Sequence, residues 1–286
     1  MKRIRFVTLH RRNIAHIVVS LLLTLSIVYI NIFFFSILNP SITTFFSSQG
    51  LDSSAQGGTE HSGGKLAIII DDFGQDRSGV KEMMSIDRHL TLAIMPFLTF
   101  SQSDAKSAHD KGYEVIIHLP MEPEVGKASW LGPRPIVTSL NDLDIQQLVL
   151  DSFESVPYAV GANIHMGSKA SSDERIMSDI LEIIKAKRLY FVDSRTSRHP
   201  ISKKLADEMG VLCYENNIFL DSTQSLATIK KQLSKAGELA LKRGKAVAIG
   251  HVGKEGGKVT AQAISEMLPE FDKQKIELVF VSELGK

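Results

Sequence analysis

The 286 residues contain one cysteine, Cys213. An internal disulfide is therefore excluded, as is a zinc site closed by several thiolates. Cys213 lies in the strand-like run Gly210-Val-Leu-Cys-Tyr214 with no activating base beside it, the setting of a buried structural thiol rather than a nucleophile. A basic face is also missing. The formal net charge is +1, but five of the 33 Lys and Arg residues (Lys2, Arg3, Arg5, Arg11 and Arg12) crowd the N-terminus. Of the 32 acidic residues, only Asp52 and Glu60 precede residue 65, so the remainder holds 28 bases against 30 acids. A slightly acidic domain argues against nucleic acid as a partner. No phosphate-binding loop is present either. Gly253-Lys-Glu-Gly-Gly257 lacks that pattern and reads as a flexible rim.

Charge of both signs is absent from Ile14 to Leu38. About 25 residues at 1.5 Å each exceed the roughly 30 Å hydrocarbon core of a bilayer. The expectation is a basic cytoplasmic segment over 1–13 and a transmembrane anchor over 14–38. The basic flank then keeps the N-terminus inside and sends the rest across. His16 and Asn31 are tolerable within such a span. A cleaved signal peptide is the alternative, although the apolar run is long for one and no small-x-small site precedes Asn39-Pro40. Residues 39–64, rich in Ser, Thr, Gly and Gln, form the expected flexible linker, with Phe45-Phe46 at the end of the anchor region. This places the protein as a single-pass inner-membrane protein whose domain, 65–286, faces the periplasm or cell exterior.

Within that domain, strand-like runs occur at 66–70, 90–95, 114–117, 159–164, 190–192, 211–214, 246–249 and 277–281. Amphipathic stretches at 77–85, 101–111, 143–155, 173–187, 202–209, 225–243 and 260–271 lie between most of them. Ser171 followed three residues later by Glu174 predicts a capping box. The alternation predicts an α/β fold, a parallel sheet wrapped by helices, either open or closed into a barrel of seven to eight strands.

In such folds ligands gather at the carboxyl ends of the strands. Here those ends carry Asp71-Asp72, then His118 with Glu122, then His165, Asp193-Ser-Arg195, and finally His251. Five separate strand ends offering Asp or His are hard to assign to chance, although each alone more often marks a satisfied polar residue. Oxygen and imidazole donors suit a divalent metal of the Zn, Mn, Fe or Co type in an open site. With Asp72 as a ligand, Asp71 is placed to accept a proton from water and His251 to give one to a leaving group. Asp193 could hold an imidazole in the right tautomer, and Arg195 could orient a carboxylate or the substrate.

The motifs Ile-Ile-Ile-Asp71-Asp72-Phe-Gly, Glu114-Val-Ile-Ile-His118-Leu-Pro-Met-Glu122-Pro, Gly161-Ala-Asn-Ile-His165-Met-Gly-Ser168, Phe191-Val-Asp193-Ser-Arg195-Thr and Ala248-Ile-Gly-His251 resemble the divergent polysaccharide deacetylases, distant relatives of the NodB-type carbohydrate esterases. The resemblance spans 65–284 and implies a distorted (β/α) barrel with metal-dependent hydrolysis of N-acetyl groups on a sugar polymer. It implies Asp71 as base, Asp72 and His118 as metal ligands, Asp193 as the group orienting the acid, and His251 as that acid. Where the NodB-type pattern has a second histidine, Glu122 stands here. His165 is then the expected third ligand and Glu122 its alternative, because Pro120 and Pro123 steer Glu122 elsewhere. Zinc is the expected metal, and an envelope glycan such as peptidoglycan the expected substrate.

Two other classes fit the residues. One is a non-catalytic envelope module that binds glycan or protein and regulates cell-wall enzymes. The other is a hydrolase of phosphate esters or other amides, although the strand ends supply only Arg195 as a phosphate clamp. Trp130, the one tryptophan, lies in Ser129-Trp-Leu-Gly-Pro-Arg134 and suits either stacking on a sugar ring or packing of its own loop.

Overall fold

The run Leu66-Ala-Ile-Ile-Ile70 is apolar on both faces and ends in three β-branched residues, as suits a strand covered on both sides. In the computed structural model, which describes residues 63–285, it is the middle of β1 (Gly64–Phe73). The basic segment, the apolar run and nearly all of the linker lie outside the described residues. Among the described residues no helix is long and apolar enough to cross a membrane.

After β1 come α1 (Val80–Met83), β2 (Thr91–Ile94), α2 (Ser101–Asp110), β3 (Glu114–Met121), α3 (Asp142–Ser155), β4 (Gly161–Met166), α4 (Glu174–Ala186) and β5 (Tyr190–Asp193). Then follow α5 (Ser202–Met209), β6 (Cys213–Glu215), β7 (Ile218–Phe219), α6 (Leu226–Arg243), β8 (Lys245–His251), α7 (Gly257–Gln274) and β9 (Ile276–Leu278). All pairings between these strands are parallel, in the order β6-β5-β4-β3-β2-β1-β8-β7, and β9 also pairs with β1.

Among the described residues the strands number nine, and they do not close into a barrel. β6 and β7 are consecutive in the chain yet unpaired, leaving a parallel half-barrel. The chain crosses this seam at Asn216-Asn217, whose side chains do part of the work of a missing strand. Asn217 pairs with Val247 twice, through its backbone N–H (3.0 Å) and through Oδ1, which accepts from the Val247 N–H (2.9 Å). β7 escapes sequence reading because two residues show no periodicity.

Alternation along each strand divides the core in two. Leu66, Ile68 and Ile70 join the large layer beneath the helices, while Ala67 and Ile69 face the inside of the half-barrel with Ala93, Ile116, Val192, Val247 and Ile249. Fully burying each of these β-branched or leucine side chains contributes about 1.5–3 kcal/mol. The N-terminal end of the half-barrel is closed by the chain's last segment. Val281 N–H donates to Thr91 Oγ1 (3.2 Å), and the buried Glu114 carboxylate accepts from Thr91 Oγ1 (2.9 Å) and Tyr190 Oη (2.8 Å). The opposite end stays open.

One expected local feature differs. α4 is capped by Asp173, whose side chain accepts from Ile176 N, and not by a Ser171–Glu174 box. Ser171 is instead in a short 3-10 turn, Ala170–Ser172, so it precedes the helix by too much to cap it.

Candidate metal and acid–base site

The same two-residue alternation that buries Ala67 and Ile69 points Asp71 into the open end of the half-barrel. By that rule Asp72 should point away, toward the helices. A β-bulge between Ile70 and Phe73 shifts the register against β2, and Asp72 takes a left-handed φ of 69°, so both carboxylates serve one site. The loop that follows is held by the buried Asp104, which accepts from Gly74 N (3.1 Å) and Arg77 Nη1 (2.5 Å).

Three positions, one on β3 and two on β4, complete the inward set. Ile116 faces inward, hence so does His118, and Asn163 and His165 follow on β4, with His118 and Asn163 in register. Asn163 bridges the halves of the site. Its Nδ2 donates to Asp71 Oδ1 (2.8 Å), which leaves its Oδ1 to accept from His118 Nδ1 (2.7 Å). Neutral His118 therefore carries its proton on Nδ1, with the Nε2 lone pair free. His165 is set the same way by a different group. Its Nε2 faces the carbonyl of Trp130 (3.1 Å), an acceptor only, so its free lone pair is on Nδ1.

These lone pairs converge. His165 Nδ1 lies 3.0 Å from His118 Nε2, and the two nitrogens are 3.1 and 3.3 Å from Asp72 Oδ1. Asp72 Oδ1 is buried and has no hydrogen-bond donor. Three electron-rich atoms directed at one point repel one another unless a cation lies among them, and a neutral imidazole tied back through its other nitrogen is the usual form of a metal ligand. The donor set of Asp72, His118 and His165 thus fits a divalent metal. Protons on the same nitrogens would draw on the same attraction to Asp72. Burial alone would push the Asp72 carboxyl up, but the two imidazoles outweigh it and hold the group well below the usual carboxylate range. His118 is raised despite burial because Asp71 and Asp72 favour its cation.

Across β1, His251 is the register partner of Asp71 and faces inward with Val247 and Ile249. Its Nδ1 donates to Asp221 Oδ1 (2.7 Å). Asp221, buried just beyond β7, also accepts at Oδ2 from His251 N–H (2.7 Å) and Thr260 Oγ1 (2.7 Å). Burial opposes charge on His251, but the Asp221 hydrogen bond and charge, joined by Asp71 and Asp72, raise its pKa to about 10. Asp71 itself is raised, chiefly by burial.

Three expected site residues lie outside this cluster. Asp193, expected to orient the acid, makes no contact with His251, whose Nδ1 is bonded to Asp221 instead. Tyr190 and Val192 face inward, so Asp193 belongs to the other face of β5, where Oδ1 accepts from Arg195 N (2.7 Å). Arg195 pairs with Glu215 (2.6 Å) and does not reach the cluster. Glu122 is engaged elsewhere too. It accepts from Lys169 Nζ (2.6 Å) and from Thr138 N and Oγ1 (both 2.7 Å), partners that hold its pKa down to about 2. Cys213 is buried on β6 with its thiol raised by burial to about 12, which is no nucleophile. Sequence reading missed Asn163 and Asp221: Asn163 holds inward parity on the visible run 159–164, whereas Asp221 follows the two-residue β7, which carried no signal.

The family model for divergent polysaccharide deacetylases matches residues 68–285. The chain belongs to that family. The uncharacterized protein YibQ of Escherichia coli is 33% identical over 207 residues, 72% of this chain and 64% of its own length. An uncharacterized Haemophilus influenzae protein is 32% identical over 187 residues, 65% of this chain and 66% of its own. The chain thus matches just under two thirds of the length of each relative. Among solved structures, an uncharacterized protein from Agrobacterium tumefaciens shares the fold with a TM-score of 0.72 at 20% identity, covering 80% of this chain and 92% of that one. The divergent deacetylase fold accordingly places Asp71, Asp72, His118, His165 and His251 at one open end.

Proposed function

We propose that this divergent polysaccharide deacetylase is a metal-dependent hydrolase that removes N-acetyl groups from an envelope polysaccharide such as peptidoglycan. The observation that carries the reading is the convergence of two imidazole lone pairs and the donor-less Asp72 oxygen beside a second carboxylate. Asp72, His118 and His165 would hold the metal, with zinc the best match to a mixed nitrogen and oxygen donor set. A bound divalent ion of this kind lowers the pKa of water and polarises an amide carbonyl. The remaining steps belong to the chain. Asp71, fixed by Asn163 and made more basic by burial, takes the proton of the attacking water. His251, already charged at neutral pH and held at Nδ1 by Asp221, donates from Nε2 to the departing amine nitrogen. Asp71 and His251 sit on neighbouring strands in register, so base and acid flank one reacting group.

The envelope location rests on the basic flank and uncharged run of residues 1–38, read as an inner-membrane anchor with the domain outside. The test is metal analysis of the purified full-length chain supplied with zinc, followed by acetate release from N-acetylated glycans. About one zinc per chain and acetate release lost in both Asp71→Asn and His251→Gln support the proposal. A chain without metal under these conditions, or acetate release unchanged in both variants, would sink it.

A further inference from the structure

The loop between β3 and α3, which touches the candidate metal ligand His165 through the Trp130 carbonyl, exposes two large apolar side chains. Trp130 is 54% exposed and Val125 87% exposed. They are not strays on a loose segment. Glu122 ties the loop's start to Thr138 and Lys169, Ser168 Oγ accepts from Glu124 N (2.9 Å), and the Trp130 carbonyl is the acceptor facing His165 Nε2. The indole is thus carried by the very residue whose backbone sets the tautomer of a candidate metal ligand. An aromatic ring held in water by a pinned loop is ready to accept a ligand without the cost of ordering it.

We propose that Trp130 is the stacking platform for the pyranose ring next to the reacting N-acetyl sugar. A hexose presents one face of C–H groups, which the indole covers while ring hydroxyls stay in water. Lys127 Nζ lies over one face of the Trp130 ring, 5.8 Å from its centre, and can hydrogen-bond the hydroxyls of a sugar seated there. The inference rests on the glycan reading of the site and adds to it a binding residue that takes no part in proton transfer.

Trp130 is the one tryptophan in the chain, so intrinsic fluorescence reports on this ring alone. Zinc-loaded full-length protein is titrated with a β-1,4-linked N-acetylglucosamine hexamer, following Trp130 emission and, in parallel, heat of binding. The expected result is a saturable blue shift, with an affinity loss of about tenfold or more in Trp130→Ala, near-parental affinity in Trp130→Phe, and zinc content unchanged in both because the carbonyl remains. Binding heat that is equal in the parent and Trp130→Ala, with emission unmoved, overturns the platform while leaving the glycan reading intact. No binding heat in the parent overturns both.

Discussion

Asn163 is one uncharged side chain in contact with both halves of the chemistry: it donates to the candidate base Asp71 and fixes the proton of His118. Replacing it by Ala frees His118 to adopt the wrong tautomer, and zinc affinity by calorimetry is expected to fall about 10–100-fold without loss of a ligand. Asp72→Asn removes the anionic ligand itself and is expected to abolish stoichiometric zinc binding. On the acid side, the His251 value of about 10 stands above the ordinary 6.5. The stabilisation linked to that rise is complete below about pH 6.5 and is lost as pH climbs through 10. Asp221→Asn removes the main supporting charge, so the imidazole nitrogen resonances of His251, followed by NMR, should titrate at a markedly lower pH. An unchanged titration would show that Asp221 does not support the cation.

At the scale of strands and helices, the site is a consequence of parity plus one irregularity. The apolar runs made most strands and helices legible, and the strand ends named Asp71, Asp72, His118, His165 and His251. Parity, applied to the same runs, separates Asn163, on the inner face of β4, from Asp193, on the outer face of β5. What no pattern carried was the bulge that turns Asp72 inward, because it depends on a positive φ, which is uncommon at non-glycine residues and leaves no periodic trace. The two-residue β7 and the seam at Asn216-Asn217 were equally silent: their pairing is made by side-chain amides and not by a repeat. At α4 the cap is Asp173, and Asp173→Ala is expected to cost about 1 kcal/mol in thermal or denaturant unfolding.

For the molecule as a whole, the chain's last segment closes one end of the half-barrel so that the other can remain open. Glu114 is the knot of that closure. Its replacement by Ala strands the Tyr190 hydroxyl and loosens Thr91 from Val281, at an expected cost of about 2–4 kcal/mol in unfolding free energy. Because these groups lie at the far end from the candidate metal ligands, zinc affinity of the folded variant should stay within about twofold of the parent.

β1, the strand that carries both carboxylates, has neighbours along both edges: β8 on one, and on the other β9 at its start, relayed by β2 toward its end. Its amides therefore cannot meet solvent by fraying of a sheet margin. In deuterium exchange, Ile68 to Asp71 should be among the slowest amides of the domain, opening only when the entire domain does. The two-residue β7, paired on one side only, should exchange by smaller local openings. Asp71 would then hold its place through fluctuations that already disturb the support of His251.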